Sequence, residues 1–135
     1  MRILALDHGE ARVGAATCDP TETIATPAGV IGPDPAEVGP LAASKGAEMV
    51  VVGLPLSLSG QEGPQALSAR AYATALEELL DIPVVTYDER LTTRMASSSA
   101  RAGAGAPSDA LAAAHLLESF LQRRAGPETE RGETP

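Results

Sequence analysis

Apolar residues along the 135-residue chain fall into short, unalternating runs in its first half and helically spaced sets in its second. Arg2 to Leu6 is a brief apolar run closed by Asp7-His8-Gly9, and Arg12 to Thr17 is another closed by Cys18-Asp19-Pro20. Two short strands around a turn fit this pattern. Ala25 to Ile31 is a third candidate, and Pro27 and Gly29 within it suit a sheet edge. Pro35 to Gly46 has helical composition, but Gly39 and Pro40 require that helix to be short, broken or late in starting.

Glu48 to Gly53 is apolar without alternation, as expected of a strand buried on both faces in the middle of a parallel sheet. Pro64 to Leu80 reads as a helix that opens on proline and sets Tyr72, Leu76, Leu79 and Leu80 on one side. Ile82 to Tyr87 is a further buried-type strand, Thr92 to Arg101 a helix, and Ser108 to Arg124 a final helix capped by Ser108. Three adjacent strands followed by strand, helix, strand and helices predict an α/β domain: a five-stranded mixed sheet flanked by α-helices. The domain is expected over residues 1–124, with residues 125–135 as a disordered tail.

Composition narrows the functions open to such a domain. Hydrophobic residues at 44% and charged residues at 21% place the chain with compact proteins. Tyr72, Tyr87 and Phe120 are its only aromatic residues, too few for a site that stacks several bases on rings. The net charge of −8 has the wrong sign for holding nucleic acid by bulk attraction, so a polyanionic partner needs placed arginines or metal ions. Lys45 is the single lysine among ten basic residues. Cys18 stands alone, which excludes an internal disulfide or a cysteine zinc cluster. No apolar run approaches the roughly 20 residues of a spanning helix, and no leader pattern opens the chain, so the expected location is the cytoplasm, away from membranes.

Three acidic positions stand where sheet proteins place their sites: Asp7 past the first strand, Asp88-Glu89 past the last, and Asp109 at a helix start. With parallel strands one, four and five, Asp7 and Asp88-Glu89 would emerge at one sheet edge, where the final helix could bring Asp109. Gathered carboxylates repel one another, so a cluster of this kind is most simply explained by Mg²⁺ or Mn²⁺, which favour oxygen ligands. Two such ions could activate water and stabilise the leaving oxygen in phosphodiester hydrolysis. Plainer roles compete: Asp7 as a turn residue before Gly9, Asp88 as the start of a turn, Glu89 as a partner of Arg90 or Arg94, and Asp109 as an acid at a helix N-terminus.

Asp7-His8-Gly9 with Arg12-Val13-Gly14 and Ala16 resembles the opening motif of the YqgF family, also called RuvX, whose members are described as Holliday-junction resolvases or pre-16S rRNA nucleases. Val51 to Leu56 with Gly60, Glu62-Gly63-Pro64 and Arg70 is similar to the family's Val-Gly-Leu-Pro loop and following helix. Asp88 to Thr93 matches its Asp-Glu-Arg-Leu-Thr-Thr segment throughout, and Asp109 with Ala112, Ala113 and Leu121 is similar to its last helix. The resemblance spans Met1 to about Arg124. It implies an RNase H-like fold and a divalent-metal nuclease carried by Asp7, Glu89 (with Asp88 as competitor) and Asp109. The implied task is 5′-end processing of pre-16S rRNA on a ribosomal precursor. Resolution of branched, four-way DNA junctions is the alternative, and a catalytically inactive nucleic-acid-binding module is another. A monomer or weak homodimer is expected; a small monomer fits trimming of one strand, whereas junction resolution would need a dimer presenting two sites. A one-lobed fragment of an actin-like kinase is disfavoured by length, because those enzymes bind nucleotide between two lobes.

Gly9 and Gly14 would then let the first hairpin approach a phosphate or metal closely, and Gly53 would do so at strand four. The chain departs from the family at His8, Glu10 and Ala11, and Ala102 to Ser108 lacks the usual basic residues. Arginines supply a partial replacement: Arg12 on the hairpin, and Arg90, Arg94 and Arg101, which on one helix would lie within about 40° of one another as a phosphate rail. A solvated charged face is the competing reading of that stripe. His8 is read as an exposed turn residue or a proton-transfer partner beside the acids, Cys18 as a small core residue, and His115 is given no role.

Overall fold

The computed structural model describes residues 1–57, 59–92 and 107–133, with side chains described as far as Ala125. Its strands are β1 (Ile3–His8), β2 (Val13–Cys18), β3 (Ala25–Ile31), β4 (Met49–Leu54) and β5 (Val84–Asp88); its helices are α1 (Val38–Lys45), α2 (Pro64–Leu79) and α3 (Ser108–Glu133). The strands form one sheet in the order β3-β2-β1-β4-β5. β1 pairs antiparallel with β2 and parallel with β4, β2 runs antiparallel to β3, and β4 runs parallel to β5. The mixed five-stranded sheet expected from the hydrophobic runs is the sheet observed.

Side chains alternate faces along each strand, and this alternation sorts the core into two layers. Ile3, Ala5, Ala16, Val51 and Tyr87 face α3 and pack against Ala113, Leu116, Leu117 and Leu121. Leu4, Leu6, Val13, Val50 and Val52 face the other side and pack against Val38 of α1 and Tyr72, Ala73 and Leu76 of α2. β4 lies between β1 and β5 and is covered on both faces, which is why its sequence does not alternate. Cys18 is buried in the α3-side layer as expected, and its Sγ lies 3.3 Å from the Ile3 amide.

Several boundaries differ from the sequence reading. β1 continues through Asp7 and His8, because both residues pair across to Gly14 and Val13. A polar pair ends an apolar run without ending the backbone ladder. The segment from Pro35 opens as a 3₁₀ turn over Pro35–Glu37 and becomes α1 only at Val38, so Gly39 and Pro40 sit in the first turn, where no backbone donor is needed. Gly46 closes α1 with φ 67°, a left-handed cap that glycine adopts freely. Leu79 does not share the buried side of α2: it is 59% exposed, while Leu80 and Ile82 cover that end of the core. α3 runs through Glu133, past the Arg124 boundary set from the sequence, so residues read as a tail continue the helix.

A buried polar link joins the two ends of this architecture. Tyr87 Oη lies 2.7 Å from Ser119 Oγ, and Ser119 donates to the Leu91 carbonyl at 2.9 Å. With the serine proton committed to Leu91, the tyrosine hydroxyl donates to the serine.

Candidate active site

The alternation that builds the α3-side layer also builds the site. Continuing from Ile3 and Ala5, the next residue of β1 on that face is Asp7; from Val51 it is Gly53; and two residues past Tyr87 stands Glu89. All lie at the carboxyl ends of the parallel strands, where open α/β sheets place their ligands. Glu89 belongs to a 3₁₀ turn over Glu89–Leu91 that follows β5 directly. Gly53 makes room for it, since a Cβ at position 53 would stand 2.4 Å from Glu89 Oε2.

Asp7 and Glu89 share a side-chain hydrogen bond. Burial is the largest influence on both and pushes both pKa values up; for Asp7 the bond to Glu89 opposes that rise and the charge of Asp109 adds to it. Glu89 is pushed up to about 7, by burial first and then by the charge of Asp7, its hydrogen bond with Asp7 and the charge of Asp88. Two carboxyls this close cannot both ionise cheaply, so the pair keeps a proton toward neutral pH. A cleft of about 190 Å³ opens beside them, bordered by Gly9, Pro55, Pro64 and Gln65.

Asp88 and Glu89, alternatives in the sequence, have different partners. Asp88 accepts from the Arg90 amide at 2.9 Å and from its Nη2 at 2.6 Å, and these bonds hold its carboxyl below the ordinary range. Asp109 comes to the same sheet edge at the start of α3 but is engaged by Arg12, whose Nε donates to Asp109 Oδ2. Asp7 and Glu89 are therefore together and Asp109 is turned to a guanidinium. Among the described residues no three His, Cys, Asp or Glu side chains converge closely enough to hold a metal ion as they stand. The donor set still suits one: the paired carboxyls are hard oxygen ligands held together by a proton that a divalent cation can replace.

The glycines divide their work differently from the reading in the sequence. Gly14 pairs with Asp7, and a Cβ there would lie 1.9 Å from the Asp109 carbonyl oxygen. Its closeness serves the start of α3 and leaves no room for a phosphate. Gly9 donates to the Arg12 carbonyl at 3.0 Å, which closes the hairpin turn at the cleft's margin. His8 is not an exposed turn residue: it is half-buried at the end of β1 with its ring 4.6 Å from that of Tyr72, and burial lowers its pKa. Arg90 lies in the turn after β5, and Thr92 is extended at φ −71°, ψ 127°, so no continuous helix runs from Arg90 to Arg94 and Arg101. Arg94, Arg101 and the rest of the helix expected to Arg101 lie outside the described residues.

The Arg12–Asp109 pair is what sequence reasoning missed. The two residues are 97 positions apart, and no local pattern links them. The His8–Tyr72 contact was hidden in the same way by distance along the chain.

Residues 1–123 match a family model described as RuvX, Holliday junction resolvase. A protein of Chloroflexus aggregans provisionally named pre-16S rRNA nuclease is 38% identical over 136 residues, covering 93% of this chain and 96% of its own. One of Pelotomaculum thermopropionicum with the same provisional name is 38% identical, with 98% and 94% covered. Among solved structures, RuvC of T. thermophilus in complex with Holliday junction substrate superposes with a TM-score of 0.62 at 16% identity, covering 93% of this chain and 96% of that one. This likeness places the fold with RuvC. Among the described residues no helix is long and apolar enough to cross a membrane.

Proposed function

Because the chain belongs to the RuvX family, we propose that it is a nuclease that hydrolyses phosphodiester bonds at the sheet edge, with Asp7, Glu89 and Asp109 as the ligands of a divalent cation, Mg²⁺ or Mn²⁺. The observation that carries this reading is the Asp7–Glu89 pair, two half-buried carboxyls on one face of the sheet whose pKa values are both pushed up by burial. When bound, the cation supplies Lewis-acid polarisation of a phosphoryl oxygen and of water. The chain's own groups do the rest. Asp7 and Glu89 present oxygens from rigid strand ends, and the proton at the Glu89 carboxyl is exchangeable near neutral pH. Gly53 leaves the Glu89 side chain its place, and Arg12 and Arg90 stand at the margin to meet backbone phosphates.

The substrate favoured is a precursor of 16S ribosomal RNA, after the provisional names of relatives that this chain matches over nearly its whole length. That substrate places the work in the cytoplasm, and trimming one strand requires a single site, which a monomer provides. The family description favours a second reading, cleavage of four-way DNA junctions, which calls for two sites in a dimer.

The test is cleavage of a labelled pre-16S rRNA fragment and of a four-way DNA junction by the protein and by Asp7→Asn, each with Mg²⁺, Mn²⁺ or EDTA. RNA cleavage that needs the cation and disappears in Asp7→Asn is expected. Preferential junction cleavage would favour the second reading. Cation-independent cleavage would remove the divalent cation from the reading, and no cleavage of either substrate would leave an inactive binding module.

A further inference from the structure

Among the described residues, Asp109 is the one of the three acids with a basic partner. Arg12 reaches it from the turn between β1 and β2, and the backbones on both sides of the contact are fixed: Gly14 abuts the Asp109 carbonyl, and the Arg12 carbonyl accepts from Gly9. The ends of the two side chains are not buried with their backbones. The Arg12 side chain is 64% exposed and that of Asp109 36%. An ion pair this open is weak, and salt or a competing ligand displaces it at small cost. Arg90 is held differently, by several hydrogen bonds to an acid two positions away. Beside the Arg12–Asp109 pair lies a surface depression bordered by Val30, Pro107 and Ser108, open to an incoming chain.

A guanidinium and a divalent cation compete for the same carboxylate lone pairs, since neither accepts a hydrogen bond and each takes oxygen electrons. A guanidinium released from a carboxylate has the fork of donors that suits a phosphate. We propose that Arg12 is a positioning residue that exchanges partners: it occupies Asp109 in the cation-free chain and passes to a nucleic-acid phosphate when a divalent cation takes Asp109. The inference rests on the carboxylate reading given above. By linkage the two binding events reinforce each other, because the cation frees the arginine that the strand needs and the strand removes the arginine that competes with the cation.

The first measurement is calorimetric titration of Mn²⁺ alone into the full chain and into Arg12→Ala. The variant is expected to bind Mn²⁺ about threefold more tightly, the scale of an exposed ion pair removed from competition. Loss of any positive charge near the site could produce a similar number, so the second measurement follows the Arg12 Nε–H resonance during Mg²⁺ titration. It is expected to move to the position it holds in Asp109→Asn without Mg²⁺. In the third, stopped-flow anisotropy of a labelled single-stranded RNA, read before turnover, should show Mg²⁺ raising the affinity of the wild type more than that of Arg12→Ala. An unmoved Nε–H signal at saturating Mg²⁺, an Mn²⁺ affinity untouched by Arg12→Ala, or an equal gain in RNA affinity for both proteins would overturn the exchange. If Mn²⁺ still binds, and is lost in Asp7→Asn, the carboxylate reading survives that failure. Absence of Mn²⁺ binding to every form would overturn both.

Discussion

Glu89 carries a proton into the neutral range because it is buried beside Asp7, and folding stability must follow that proton. The folded chain holds it up to about pH 7, whereas an unfolded glutamate releases it near its ordinary value of 4.5. Between those limits the folded state binds more protons than the unfolded one, so this contribution is full below the ordinary value and declines as pH rises through the folded one. Acids with lowered values, such as Asp88 and Glu62, act with the opposite sign below that window. In EDTA the melting temperature should therefore lose ground from about pH 4.5 to 7, and Glu89→Gln should flatten the decline. An unchanged slope in the variant, measured by scanning calorimetry, would contradict the shared proton. Cation loading has the matching signature. Near pH 6, Mn²⁺ binding should expel about one proton, seen as a buffer-dependent heat, and Glu89→Gln should expel less.

Among the elements, two glycines on one face of the sheet make contrasting predictions. A methyl group at position 14 meets the backbone of Asp109, which cannot move without shifting the start of α3, so Gly14→Ala should cost at least ~2 kcal/mol by denaturant unfolding. At position 53 the methyl group meets only the end of the Glu89 side chain. Gly53→Ala should unfold within about 1 kcal/mol of the wild type yet cleave about 100-fold more slowly, because the displaced group is the proposed ligand itself. The same strands explain what was legible beforehand. Runs such as Met49 to Val52 announce burial on both faces, and the sheet follows from them and from short connections. The boundary at Leu6 was misplaced because hydrophobicity marks where a strand is covered, whereas Asp7 and His8 stay in the ladder through backbone bonds to β2. That Glu89 rather than Asp88 shares the face of Asp7 is visible only once Tyr87 is known to face α3, since alternation needs one fixed residue to count from. The contacts of Arg12 with Asp109 and His8 with Tyr72 depend on tertiary placement, which no spacing encodes.

For the molecule as a whole, the Tyr87–Ser119–Leu91 link ties the segment bearing Glu89 to the helix bearing Asp109. Ser119→Ala would strand the tyrosine hydroxyl and the Leu91 carbonyl without their partner, and should destabilise the fold by about 1–3 kcal/mol in chemical denaturation. A variant as stable as the wild type would show that water replaces the serine at no cost. The seating of Asp109 on Gly14 reaches further, into how the protein is made. Asp7 and its hairpin leave the ribosome first, Glu89 much later and Asp109 later still, and the floor at Gly14 stays bare until the backbone of α3 settles on it. A half-synthesised chain thus carries its first acid without the third, and the three proposed ligands can meet only once α3 has been made and seated.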